Sequence, residues 1–406
     1  MRCTRSERAI RRCPPVITVL ALSVVLSVPE ARSATRIVPD SFITIQAAID
    51  ACGVGDTVLV RSGTYRGIGN RNLNCHGTEL VLRSEAGAEE TIIDCERGGR
   101  GLYFESGESR AACVEGLTIL NGDAVPEQPW EAAGGGIMCG LSSPTIRDCR
   151  IINCRGWYRG GGVYLLCSYG RLERCTMSQN ESDDGGGLAL ECGRPEIEAC
   201  VIAGNRSDYY GGGVSFAGWI EEARLVSCTI TANVGPRSGG LYGGYVQLDR
   251  CILWGNCAPG HPEYNEAQAH GITFNCCVVD TTGIDANMVY GDDSVFTDPG
   301  FCAPAPCGQH SEGDWTVSDL SPCLPQNNVC GVLIGALDQG CTVTPPTGAC
   351  CLFDGSCHTE SEQECDSLGG AYQGDGGVCE PNPCEPIPVQ RTSWGQVKAH
   401  YHGGGR

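Results

Sequence analysis

The residues best suited to chemistry gather in one recurring loop. Three successive copies of it carry Trp157-Tyr158-Arg159, then Glu181, Asp183 and Asp184, then Asp208, Tyr209 and Tyr210. Aromatic rings beside guanidinium and carboxylate groups suit a sugar. The rings stack on its apolar face, and the charged groups bond its hydroxyls. Trp157, Tyr158, Arg159, Asp184, Tyr209 and Tyr210 are therefore the candidate ligand-binding residues. Counted from the Asn that precedes each loop, Asp183 falls one repeat from Asp208, and Arg155, Glu181 and Arg206 line up likewise. Paired aspartates offer hard oxygen ligands, which makes Asp183 and Asp208 a candidate weak calcium site; no other cofactor is expected. The plainer reading of the same loop is a solvated charge ladder with scattered aromatics. The seven histidines show no metal-ligand spacing, and no catalytic residue is assigned.

What positions these loops is a repeat. Gly-Gly-apolar steps return at Gly134–Ile137, Gly160–Val163, Gly185–Leu188, Gly211–Val214 and Ser238–Leu241, at intervals of 26, 25, 26 and 27 residues. A second mark keeps the same period: Met177-Ser-Gln-Asn180, Ile202-Ala-Gly-Asn205, Ile230-Thr-Ala-Asn233 and Leu253-Trp-Gly-Asn256. Two marks at one period indicate stacked copies of one supersecondary unit, a solenoid. Residues at equal offsets then lie about 4.8 Å apart on neighbouring coils. Asn180, Asn205, Asn233 and Asn256 are expected to form an amide ladder, and Cys149, Cys175, Cys200, Cys228 and Cys251 a buried column, either free or bridged. The Asn180 and Asn205 sequons are read as ladder positions rather than glycan acceptors. Cys167 and Cys192 stand one coil apart at matching offsets and are expected to bridge. Ahead of the array, Ile45, Ala48 and Ile49 share a helical face behind Thr44, a short helix expected to cover the open N-terminal end.

The compartment is read from both ends of the chain. Residues 1–33 combine a basic start, an apolar run over 16–28 and a small-residue site at Ala31-Arg32-Ser33, the layout of a secretion signal. The run is too short to span a bilayer, so no integral membrane segment is expected. Of 29 cysteines, Cys3 and Cys13 fall in the leader, and CxxC pairs are absent, which favours disulfides over metal sites. Cys350, Cys351, Cys357, Cys365, Cys379 and Cys384 lie in too little chain for a core without three bridges, whose connectivity stays open. With 28 basic against 48 acidic residues the net charge is −20, which opposes nucleic acid and anionic membranes.

Thr44-Ile-Gln-Ala-Ala-Ile49, Gly55-Asp56-Thr57 and Gly63-Thr-Tyr65 resemble the N-terminal cap of the right-handed parallel β-helix superfamily named for pectin lyase. The Gly-Gly-Gly-(Ile/Val/Leu) and (Ile/Leu/Met)-x-x-Asn pair resembles the repeats of chlamydial polymorphic outer-membrane proteins, with Gly for their Ala and Ile, Met or Leu for their Phe. The resemblance spans roughly 36–340 and implies the fold, while its members include lyases, hydrolases, esterases and adhesins. Polygalacturonase signatures do not appear, since Asp183-Asp184 is followed by glycines. Gly63-Thr-Tyr65-Arg66 carries Arg where the first pectin-methylesterase block has Glu, and the sole lysine, Lys398, lies in the tail.

The expected architecture is therefore all-β: a right-handed parallel β-helix over 34–340 with an N-terminal capping helix. A disulfide-rich module over 341–386 and a sorting or anchoring tail over 387–406 follow. The expected function is a secreted or cell-surface recognition module, monomeric, binding a polysaccharide or surface component. The alternative is a polysaccharide lyase or glycoside hydrolase on the same scaffold.

Overall fold

A computed structural model describes residues 33–124, 132–218, 223–284, 289–291, 293–308, 313–343, 347–380 and 382–384. The expected secretion signal (apart from Ser33), Pro345 and Pro346 of the expected linker and the expected tail from 387 lie outside these.

The central coils of the solenoid run through four parallel sheets. In one coil the strands are Thr145–Arg147 (sheet 1), Arg150–Ile152 (sheet 2), Arg155–Gly156 (sheet 3) and Val163–Ser168 (sheet 4). Stacking of coils gives sheets of eleven, nine, four and eight strands respectively. Register is strict: Val163, Leu188, Val214, Leu241 and Ala267 pair in sequence along sheet 4. Alternate residues point inward, and Ile146, Leu172, Ile197, Leu225, Leu248 and Phe274 fill one column of the core. Each such fully buried side chain contributes roughly 2 kcal/mol of transfer free energy.

The corners explain the two repeating polar marks. Between sheets 1 and 2 the chain turns through one residue at positive φ, such as Asp148, Arg174 or Ala199. The next residue is an inward cysteine whose thiol donates back to the carbonyl two positions earlier (Cys175 to Glu173, 3.4 Å; Cys200 to Glu198, 3.3 Å; Cys228 to Val226, 3.3 Å). The column Cys149, Cys175, Cys200, Cys228 and Cys251 is buried and free, and Cys277 extends it. A small side chain with a weak donor suits a cramped corner whose carbonyl needs a partner.

Between sheets 2 and 3 the inward residue is Asn. Asn180 Nδ2 donates to Asn205 Oδ1 (3.0 Å), Asn205 to Asn233 (2.9 Å) and Asn233 to Asn256 (2.9 Å). The same oxygens accept backbone N–H groups of the preceding coil, as from Asn180 to Asn205 (3.0 Å). Both sequon asparagines, Asn180 and Asn205, are fully buried in this ladder. The glycine triplets exist because the chain must pass over it. A Cβ on Gly187 would stand 2.8 Å from Asn205 Nδ2, and one on Gly186 would stand 2.1 Å from the Arg206 carbonyl. The two marks share a period because they are the two sides of one contact.

The last coil breaks the pattern in a defined way. Tyr264-Asn265-Glu266 takes the place of Ser238-Gly239-Gly240, and the Glu266 carboxylate accepts the Asn256 backbone N–H (2.9 Å) and Nδ2 (2.6 Å). Glu266 therefore ends the ladder.

At the opposite end, helix Ile45–Asp50 buries Ile45, Ala48 and Ile49, with Thr44 as its N-cap. The order differs from expectation. Strand Thr35–Val38 precedes the helix and pairs with Thr57–Val60, so the helix is an insertion between the first two strands of sheet 1.

Beyond the coils, residues 293–308 and 313–341 fold back over the outer face of sheet 2. Val317, Leu324 and Ile334 pack on Ile252 and Val278, and Trp315 packs on Val201 and Ala203. Disulfides Cys257–Cys307 and Cys276–Cys330 fasten this segment to the coils, and Cys302–Cys341 closes it internally. Cys341 thus belongs to the closing segment, and strand Gln339–Cys341 pairs with Asp314–Ser318. The following module is a three-stranded antiparallel sheet with helix Glu362–Ser367, held by Cys350–Cys365, Cys351–Cys384 and Cys357–Cys379. Cys167–Cys192 joins adjacent coils, with Cα atoms 4.4 Å apart. Disulfides in this number mark an extracytoplasmic protein. No helix among the described residues is long and apolar enough to cross a membrane.

Candidate functional site

The recurring loop is divided by a register shift. Glu181 pairs with Arg206 and Ser182 with Ser207, but Asp184 pairs with Tyr210, one position later on the second strand. Arg155, Glu181 and Arg206 therefore stack as an outward charge ladder, with Arg155 and Glu181 3.1 Å apart. Asp183 and Asp208 lie on this same outer surface. Burial, then repulsion from Asp208, raises the Asp183 carboxyl above its ordinary value. Among the described residues no third carboxylate, His or Cys joins the pair at ligand distance, and Arg206 sits 3.6 Å from Asp208.

Trp157 is on this side as well. Its Nε1 donates to Asp123 (2.9 Å), and the Arg155 guanidinium covers one ring face at 3.6 Å. One stacking surface of Trp157 is thus already occupied. Tyr209 is exposed at the rim.

Past the shift, Arg159, Asp184 and Tyr210 turn toward the outer face of sheet 4. There they line one end of a cavity of about 670 Å³. The other end is built from Tyr242, Tyr245 and His270 of later coils. The Tyr210 and Tyr242 rings lie 4.3 Å apart at 31°, and Tyr245 lies 6.3 Å from His270. Arg237 donates to Tyr210 Oη at 2.9 Å.

The polar end is a closed network. Arg159 bridges Asp184 (3.4 Å) and Glu191, and Tyr164 donates to the same Glu191 oxygen at 2.6 Å. Tyr158 packs beneath, with the Arg159 guanidinium 4.6 Å from its ring. Burial raises the Asp184 carboxyl, and Arg159 works against that shift. Burial, then the bond to Glu191, pushes the Tyr164 hydroxyl well up. Two carboxylates and an arginine thus converge beside the cavity.

The structure brings Arg159, Asp184 and Tyr210 together, places Tyr158 below them, and leaves Trp157, Tyr209, Asp183 and Asp208 on the adjoining surface. Sequence reasoning missed Glu191, Tyr242, Tyr245 and His270. Period-2 alternation held the signal for one of them: Tyr242 directly follows the inward Leu241 of sheet 4, as Tyr164 follows Val163. His261 and His270 do not act as a pair, since His261 bonds Glu263 (3.2 Å).

Residues 84–258, most of the coils that build this cavity, match the family model described as right handed beta helix region, which gives the solenoid its hand. No curated protein matches the chain.

Proposed function

We propose that this chain is a secreted or cell-surface recognition module that binds a carbohydrate chain along the outer face of sheet 4. The observation that carries the reading is the cavity with Tyr210 and Tyr242 ring against ring, Tyr245 and His270 beyond them, and Arg159 with Asp184 at one end. Rings supply sequence-tolerant stacking on a sugar's C–H face, and the charged end bonds hydroxyls in a fixed direction. The leader, the disulfides and the resemblance to surface-exposed repeat proteins all support an extracellular setting. Affinity electrophoresis against a panel of neutral and acidic polysaccharides tests it. Tyr242→Ala with Tyr245→Ala should abolish retardation while leaving the thermal melt unchanged, and full retention by that double variant refutes the reading.

A second reading, glycan cleavage, is favoured by one observation: the Asp184 carboxyl is raised by burial and shares Arg159 with Glu191. A carboxyl of raised pKa near a second carboxyl group is the pairing that glycosidic hydrolysis uses. Release of reducing ends from a bound polysaccharide, lost in Asp184→Asn, would establish it. Binding without release in prolonged incubation rejects it.

A further inference from the structure

A second cavity, of about 610 Å³, opens on the outer face of sheet 1, and its wall is unlike the rest of this acidic molecule. Arg110, Arg194, Arg224 and Arg250 line it, together with Tyr169, which is 60% exposed. Glu196 and Glu198 are the carboxylates of the lining. Arg110 reaches across the face, donating from Nε to the Tyr169 carbonyl and from NH1 to Glu196, each at 2.8 Å. Arg224 is paired with Asp249, and Glu198 is held by Arg171 at 2.8 Å. Arg194 and Arg250 are different: neither guanidinium has a carboxylate, an acceptor or a ring partner among the described residues. A chain with a net charge of −20 has spare carboxylates everywhere, yet two bare guanidinium groups flank the same cavity.

Their spacing is also ordered. Arg194 enters strand Glu196–Glu198, Arg224 lies on Ala223–Val226 in register with Glu196, and Arg250 follows Tyr245–Asp249. Arg224 pairs with Glu196 and with Gln247, so Arg194 stands two positions before that level and Arg250 three positions past it: three consecutive coils each present one arginine along a diagonal across the sheet. A linear polymer crossing the face of sheet 1 obliquely would meet one arginine per coil, with an exposed tyrosine ring to stack on at one end. Guanidinium forks match carboxylate and sulfate oxyanions, and the ring matches a sugar face. From this juxtaposition we infer that the outer face of sheet 1 is a binding site for an anionic glycan chain, separate from the groove on sheet 4. Nucleic acid is disfavoured, because its denser charge would meet the field of the whole protein.

The test measures binding of the full chain at low ionic strength to heparin (sulfate esters), polygalacturonate (carboxylates) and dextran (neutral). At least one anionic polymer should bind, and whichever is tighter identifies the oxyanion. Added salt should weaken the binding. Arg194→Gln with Arg250→Gln should weaken it by about tenfold, the loss of two charge-assisted contacts. Two controls isolate the site. Arg66→Gln with Arg206→Gln removes the same charge from other faces of the solenoid and should change affinity little. Tyr242→Ala disables the sheet 4 groove and should leave this binding intact, so the two sites fail independently. Equal affinity of the Arg194/Arg250 variant and the parent overturns the inference. So does an equal loss in the charge-matched control, or dextran bound as well as the anionic polymers.

Discussion

Replacing Asn205 by alanine tests the contact on which the repeat is built. The Asn205 side chain makes four hydrogen bonds. Nδ2 donates to the Met177 carbonyl and to Asn233 Oδ1, both at 2.9 Å. Oδ1 accepts from the backbone N–H and Nδ2 of Asn180, both at 3.0 Å. Alanine leaves the Asn180 N–H with no partner in a site from which water is excluded. Asn180 Nδ2 keeps its bond to Ile151 (2.9 Å), so it is weakened rather than orphaned. One orphaned buried donor costs about 1–3 kcal/mol, and the weakened partners bring the expected loss to roughly 3 kcal/mol. A solenoid loses stability coil by coil, so a global midpoint alone would blur the effect. Hydrogen exchange read at the Asn180 amide is the direct assay, with protection expected to fall roughly a hundredfold. Unchanged protection at Asn180, together with an unchanged urea midpoint, would show that the ladder contributes nothing to stability.

Two further outcomes follow from the way the array ends. Burial pushes the Glu266 carboxyl from 4.5 to about 8, against the pull of the two Asn256 donors. The folded chain then keeps a proton that the unfolded chain has released, so this group's contribution is fully present below pH 4.5 and declines as pH rises toward 8. Glu266→Gln should flatten the pH dependence of the urea midpoint across that window, and an unaltered slope would remove Glu266 as its source. Termination of the chain after Val343 should leave the coils as stable as in the parent. Termination after Gln339 removes Cys341 and two of the three residues of its strand, and should cost about 2–5 kcal/mol in calorimetry; identical melts for both truncations would contradict the boundary.

The array was legible because inward positions and corners recur in every coil, and a ladder residue such as Asn205 meets the same neighbours above and below. The paired marks were visible in the sequence, though not that Gly187 and Asn205 press on each other. The groove was half legible. Counting offsets from Asn kept all candidate residues on one strip, whereas the shift between Ser182 and Asp184 sends Asp184 and Tyr210 to another face. Tyr242, Tyr245 and His270 come from later coils, and no local pattern links them to Arg159. The closing segment was hidden for a different reason. Its target is the outer face of sheet 2, where Ile252, Val278 and Val201 look like ordinary strand residues until something covers them. The expected helix-first order failed because strand Thr35–Val38 is only four residues long and its pairing with Thr57–Val60 leaves no local pattern.

Stacked coils have no intrinsic length, since each new coil presents the same open amides that received it. In this chain the count is closed by chemistry as well as by covering. At Asn256 both donors that would have met another asparagine are taken by a carboxylate, which has lone pairs to accept with and, once ionised, nothing to donate onward. A chain bearing glycine at position 266 would leave the Asn256 backbone N–H buried and without a partner beneath residues 281–284, at a cost of about 1–3 kcal/mol. Glu266 is in that sense a terminator of the amide ladder, set inside the solenoid while sheets 1 and 2 continue past it.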